Sequence, residues 1–410
     1  MSIVDDDIVS NPSNNESLAE VLRTRISRRR VLGGGLVTAA AAVFGGGIST
    51  LVRATPALAA APLGFSAIST STDDTVVVPP GYRWEVLIAW GDPLSSGPAF
   101  APDASNTAEE QALQWGMHND GMVYFPFTTL GEQYASNPRV ARYLDPRPAY
   151  QLYGLFFDWT NGSSTHGLIV QNHEYTDDGL LFPDGTADWT AAKTAKSLAA
   201  HGVSVIEVER VGRAWQVRRP SRFARRITGS TPISITGPAA GHPLLRTAAE
   251  PTGTVVDGTL NNCAMGYTPW GTYLACEENF NGYFRKTAAP NPLEARYGIS
   301  AAGFGYLWHT TDDRFQVDKV PNEPNRFGWV TEVDPIRPTS MPAKRTALGR
   351  LKHEGAWVTT TKSQRVVVYM GDDERSSTST GRLGQALASG LLPGRAPPRQ
   401  GHVVRRQVQR

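Results

Sequence analysis

Cysteine is nearly missing from this chain: 410 residues contain two, Cys263 and Cys276. A fold held together by many disulfides is thereby excluded. Charge of one sign is lacking as well. Forty Lys and Arg stand against 38 Asp and Glu, a formal net charge of +2. Much of the arginine sits near the two ends, so no basic face is left to recruit nucleic acid. Helical periodicity is scarce, the best case being "TADWTAAKTAKSLAAHG" from Thr186, which closes on a glycine. Finally, acids, lysine and aromatic residues are all absent from Ser376 to Arg410.

What is present is apolar and turn-rich. Hydrophobic residues make up 40% and aromatics 9%, enough for a large core in one big domain or two ordinary ones. Forty glycines and 29 prolines punctuate many short runs of strand character. These include "YQLYGLFFDW", "HGLIVQNHEY", "TYLACEEN", "FGWVTEVDP" and "GAWVTTTKSQRVVVYMGDD". Residues 76–94, "VVVPPGYRWEVLIAWGDPL", predict a strand, a turn and a strand, and "VSVIEVERVGRAWQVRRP" predicts a hairpin. The expected class is all-β with few short helices. A β-propeller suits an array of short strand units with loops bunched on one face; a sandwich remains open, because no repeat period is visible.

The N-terminus carries an address. Ser27-Arg28-Arg29-Arg30 precedes a weakly hydrophobic run of Gly and Ala, and Ala57-Leu58-Ala59 is a small-residue cleavage pattern. This resembles a twin-arginine export signal, which makes the twin-arginine translocase a partner and the periplasm or exterior the destination. The run is short and interrupted by Arg53, so no stable membrane anchor is expected. Twin-arginine export carries folded, often cofactor-loaded enzymes, which directs attention to metal ligands.

Four strand-to-loop junctions gather such ligands. "NNCAMGYTPWGTYLACEENFNGYF" holds Cys263, Cys276, Glu277 and Glu278; "KHEGA" holds Lys352, His353 and Glu354; "QNHEYTDD" holds Asn172, His173, Glu174, Asp177 and Asp178; "GDDER" holds Asp372, Asp373, Glu374 and Arg375. Alternation sends Cys276 and Glu278 to one face of a strand and Glu277 to the other, unless a bulge turns both glutamates to one site. Adjacent carboxylates at the end of an apolar strand call for something positive beside them. Calcium alone has no use for a thiolate, whereas iron or zinc accepts thiolate and carboxylate together, so a softer metal with calcium fits these residue types. A Cys263–Cys276 disulfide is the open alternative.

With "ITGPAAGHPLL" and "RFGWVTEVDP" added, these motifs resemble the PhoX-type alkaline phosphatases over roughly residues 75–375. The resemblance implies a six-bladed β-propeller with an iron and calcium cluster on its axis, hydrolysing phosphate monoesters. By matched motif it makes Cys263 a thiolate ligand to iron, Glu278 and Glu354 carboxylate ligands, Glu277 a weaker one, and Asp372 and Asp373 calcium ligands. It marks no side chain as the nucleophile, a role left to an oxygen held by the metals. Arg375 is a candidate phosphate contact, though an arginine beside three acids more often pairs with them.

The resemblance also frames the tail. Family members continue past "GDDER" with a strand like Phe-Glu-Tyr-Ile-Tyr-Arg, and one synonymous coding of that strand, read one base out of frame, gives Ser376-Ser377-Thr378-Ser379-Thr380-Gly381 as found here. The expected organisation is a signal region at 1–59, an incomplete propeller at 60–375 and an out-of-frame or disordered tail at 376–410, which makes the chain either inactive through its missing blades or an incomplete record of an active enzyme. Two rival functions are a calcium-dependent lactonase-like propeller, which would need no Cys263, and a secreted propeller that binds partners without catalysis.

Overall fold

The computed structural model describes residues 65–361 apart from 148 and 153, residues 366–373, and two further strands at 384–388 and 402–404. The expected signal region, Glu374, Arg375 and the rest of the tail lie outside the described residues. Two units are distinguished, one containing Met1–Val86 and the other Leu87–Val408. In the first, Pro79 accepts a turn hydrogen bond from Tyr82, and Gly81 supplies the positive φ of +89°. No strand forms among its described residues, contrary to the strand–turn–strand expectation for this stretch.

The second unit is mostly β, in three open sheets. The first is β1 (Asn119–Pro126), β2 (His166–His173), β3 (Gly202–Val211) and β4 (Ala214–Val217) in that order, with β5 (Arg225–Ile227) also on β3. Its β3–β4 hairpin is the one expected from alternation, turned by Gly212 at φ +64°. The second sheet comprises β6 (Pro232–Thr236), β7 (Val255–Asp257), β8 (Asn262–Tyr267), β9 (Tyr273–Glu277), β10 (Val330–Val333) and β11 (Ala343–Arg345). Its spatial order is β7-β6-β11-β10-β9-β8, with β6 and β11 parallel. The third holds β12 (His353–Thr360), β13 (Val366–Asp372), β14 (Gly384–Ala388) and β15 (His402–Val404), all antiparallel. No closed barrel or propeller forms among the described strands.

The longest helix among the described residues, α1 (Ala191–Ala200), starts behind the Thr190 cap and ends before Gly202, whose φ is +104°. The sequence pattern placed its start five residues earlier, but the Thr190 side chain accepts from the Lys193 amide and fixes the first turn there. None of the described helices is long and apolar enough to cross a membrane. A continuous core of Phe125, Phe127, Phe223, Phe280, Phe284, Trp308 and Phe327 joins the first and second sheets. Stacked and tilted rings dominate it, so the strand ends that emerge from it are rigidly placed.

Candidate metal centre

Three strands open with an irregularity, and each irregularity carries a polar residue. Register slips between Asn119 and Met122 in β1, between Asn262 and Met265 in β8, and between Glu354 and Trp357 in β12. A bulge adds a residue to one strand and re-aims its side chain out of the ladder. Asp120, Cys263 and Glu354 lie at or within these slips. Glycines let the strands approach: a Cβ on Gly121 would meet the Cys263 carbonyl at 2.8 Å, and one on Gly266 would meet the Ala356 carbonyl at 1.7 Å.

Glu278 joins them from the residue after β9, its amide donating to the Asn261 carbonyl at 3.0 Å. Ligand atoms of Cys263, Glu278 and Glu354 all lie within 4.8 Å of one another, the first two buried and the third exposed. The Cys263 thiol donates to the His353 carbonyl at 3.4 Å. Asn172 clamps the same strand end, donating to the Cys263 carbonyl at 2.8 Å and to that of Ala264 at 3.0 Å.

Electrostatically the cluster resists ionisation. Burial, and then Asp373 and Glu354 beside it, push Glu278 up to about 7. Burial likewise raises Glu174 to about 7, with Asp120 as hydrogen-bond partner and like-charged neighbour and Glu354 beyond it. Glu354 shifts upward for the same reasons, burial first and Asp373 and Asp120 next. Burial, with Glu278 alongside, lifts the Cys263 thiol far above the ordinary range. No ion pair among the described residues includes Glu174, Glu278 or Glu354. The buried amide oxygen of Asn172, on the side chain that clamps the Cys263 strand end, has no hydrogen-bond partner among the described residues. A buried thiol and two carboxylates with ligand atoms within 4.8 Å of one another, and further carboxylates beside them, form a donor set that fits metal cations.

The structure separates the other sequence candidates. Glu277 does not reach this cluster: its fully buried carboxylate meets Lys344 at 2.7 Å and accepts from Thr259, Leu260, Gly328 and Trp329 on the opposite face of β9. Alternation thus prevails at this pair, and all four lone-pair directions of Glu277 are taken. Both cysteines are free, and Cys276 packs among Leu274, Val330, Ala356, Val366 and Val368, so the disulfide does not form. Asp373 stands beside Glu278, while Asp372 accepts from the Lys352 amide at 3.3 Å. His173 turns inward to Ser204 at 2.7 Å. Asp177 caps a short helix, and buried Asp178 accepts from Thr176 and Ser197; both are structural. Asp120 was not singled out in the sequence. Its signal was the junction "HNDGMVYF", an acid at a strand start as in "KHEGA".

The alkaline phosphatase PhoX family matches residues 63–379 of this chain. Among solved structures the chain is similar to Pseudomonas fluorescens PhoX in complex with vanadate, a transition state analogue, at 43% sequence identity and a TM-score of 0.68. That similarity covers 79% of this chain and 50% of the other, so this chain spans about half the length of that relative. No curated protein matches it.

Proposed function

We propose, because this chain belongs to the alkaline phosphatase PhoX family, that Cys263, Glu278 and Glu354 hold the metal centre of a phosphate monoester hydrolase. The observation that carries the proposal is the convergence of these three residues, from sequence positions up to 91 apart, within 4.8 Å. The thiolate suits iron and the surrounding carboxylates suit calcium, with Glu174, Asp120 and Asp373 as further oxygen donors. Glu277 and Cys276 are not part of it.

Bound cations would supply the positive charge a phosphate dianion needs and would acidify an attacking oxygen. The chain's own residues set the stage for this. Asn172 fixes the strand end bearing Cys263, the bulges aim Asp120 and Glu354, and the crowded acids repel any anion until cations reverse the local sign. The three sheets are read as blades of the family's six-bladed propeller, and the N-terminal pattern as a twin-arginine signal for export.

The test is metal analysis and phosphate release from p-nitrophenyl phosphate by the chain loaded with iron and calcium. Cys263→Ser should lose iron and activity together, and vanadate should inhibit the unsubstituted chain. Activity that survives full chelation, or Cys263→Ser with unchanged iron content, would overturn the reading.

A further inference from the structure

Behind the cluster stands a tyrosine that no step above uses. Tyr283 is 1% exposed, its ring stacked on Trp308 at 4.7 Å and 20° and packed against Tyr306 at 4.6 Å. Such packing fixes the ring and therefore the aim of the hydroxyl. That hydroxyl meets two groups at once. His201 Nε2 lies 2.9 Å away and the carbonyl oxygen of Glu174 lies 3.3 Å away.

The proton positions follow from the partners. His201 Nδ1 is 2.7 Å from the Ser197 carbonyl and must donate there, which leaves Nε2 as an acceptor. Burial pushes His201 down to about 3, so the ring is neutral. The Tyr283 hydrogen therefore faces two acceptors, His201 and the Glu174 carbonyl. Asn261, close enough to influence that hydroxyl, is buried and left-handed, φ +51°; its backbone carbonyl accepts from the Glu278 amide and its side-chain oxygen from the Asn279 amide at 2.5 Å. One hydroxyl thus sits between the segment that carries Glu174 and the segment that carries Glu278. Tyr306 adds a second tie, accepting from the Thr176 amide and donating to its carbonyl, two residues past Glu174.

We propose that Tyr283 is a positioning residue, whose buried hydroxyl, bonded to His201 and to the Glu174 carbonyl and set beside Asn261, holds Glu174 and Glu278 at the separation the metal centre requires. This rests on the reading that the Cys263 cluster binds metal. Outer groups that orient ligands typically change metal affinity by about 10- to 100-fold when removed.

The probe is cobalt(II) alone, titrated into the full chain purified free of metal and followed by the thiolate charge-transfer band and the visible ligand-field bands. Tyr283→Phe keeps the ring and deletes the hydroxyl. Its cobalt dissociation constant should rise about tenfold and the visible bands should change shape. The melting temperature of the metal-free protein should move by no more than about 3 °C. Asn261→Gly preserves the left-handed backbone while removing the amide, and should act in the same direction even if the tyrosine variant folds poorly. An unsubstituted chain with no thiolate band would sink the metal reading and this inference with it. A normal band in that chain, with unchanged affinity and spectrum in both variants, would overturn the inference alone. A variant that only melts lower, with cobalt binding intact, would show Tyr283 to be core packing and overturn it equally.

Discussion

Glu277 and Glu278 are neighbours in sequence and opposites in environment. The first is enclosed by five donors, among them the Lys344 ammonium, which also lies 3.8 Å from the Phe327 ring centroid. The second faces acids and a thiol. Replacing Lys344 by Met removes the cation and leaves an uncompensated buried carboxylate, so Lys344→Met should cost roughly 3–5 kcal/mol of unfolding free energy. Denaturant titration of metal-free protein measures this, and a loss below about 1 kcal/mol would mean that the backbone amides alone satisfy Glu277. Cys263, Glu278 and Glu354 were legible in the sequence because their residue types carry chemistry and their motifs match a family. Strand period set the two adjacent glutamates on opposite faces, and the matched motif favoured Glu278 as the ligand. Asp120 was not legible, since one acid at a strand start has many ordinary explanations and its partner Glu174 is remote in sequence.

At the scale of the element, the site depends on close contacts between strands that belong to different sheets. Gly266 in β8 lies against the Ala356 carbonyl in β12, where an added methyl would sit at 1.7 Å from the oxygen and 2.6 Å from its carbon. Backbone cannot swing aside as a flexible side chain can. Gly266→Ala should therefore push β8 from β12, moving Cys263 away from Glu354. A destabilisation of roughly 1–3 kcal/mol is expected from such overpacking, together with weaker cobalt binding; full affinity in a stably folded variant would show that the two strands move independently of the site. Hairpins such as β3–β4 were readable because alternation and a glycine turn are local. The parallel pairing of β6 with β11 was not, because more than a hundred residues separate the partners and nothing in either short run specifies the other. The bulges escaped for a similar reason: a slip is defined by the partner strand, not by the strand itself.

For the whole molecule, the raised affinities of Glu174 and Glu278 for protons become a statement about stability. Both titrate near 4.5 in an unfolded chain and near 7 in the metal-free fold. Between those values the folded state binds more protons than the unfolded one, so the unfolding free energy falls as pH rises. The contribution is fully present below about pH 4.5 and lost as pH passes through about 7. The metal-free chain should accordingly melt lower at pH 8 than at pH 5.5, beyond any drift seen in a Glu174→Gln, Glu278→Gln double variant. Cations compete with those same protons, so metal binding should strengthen over the window in which the metal-free fold weakens. Added calcium or cobalt should then raise the melting temperature far more at pH 8 than at pH 5.5. Calorimetry at the two pH values, with and without metal, decides the matter: equal metal-induced shifts at both would mean that the crowded carboxylates are not the groups the cations engage.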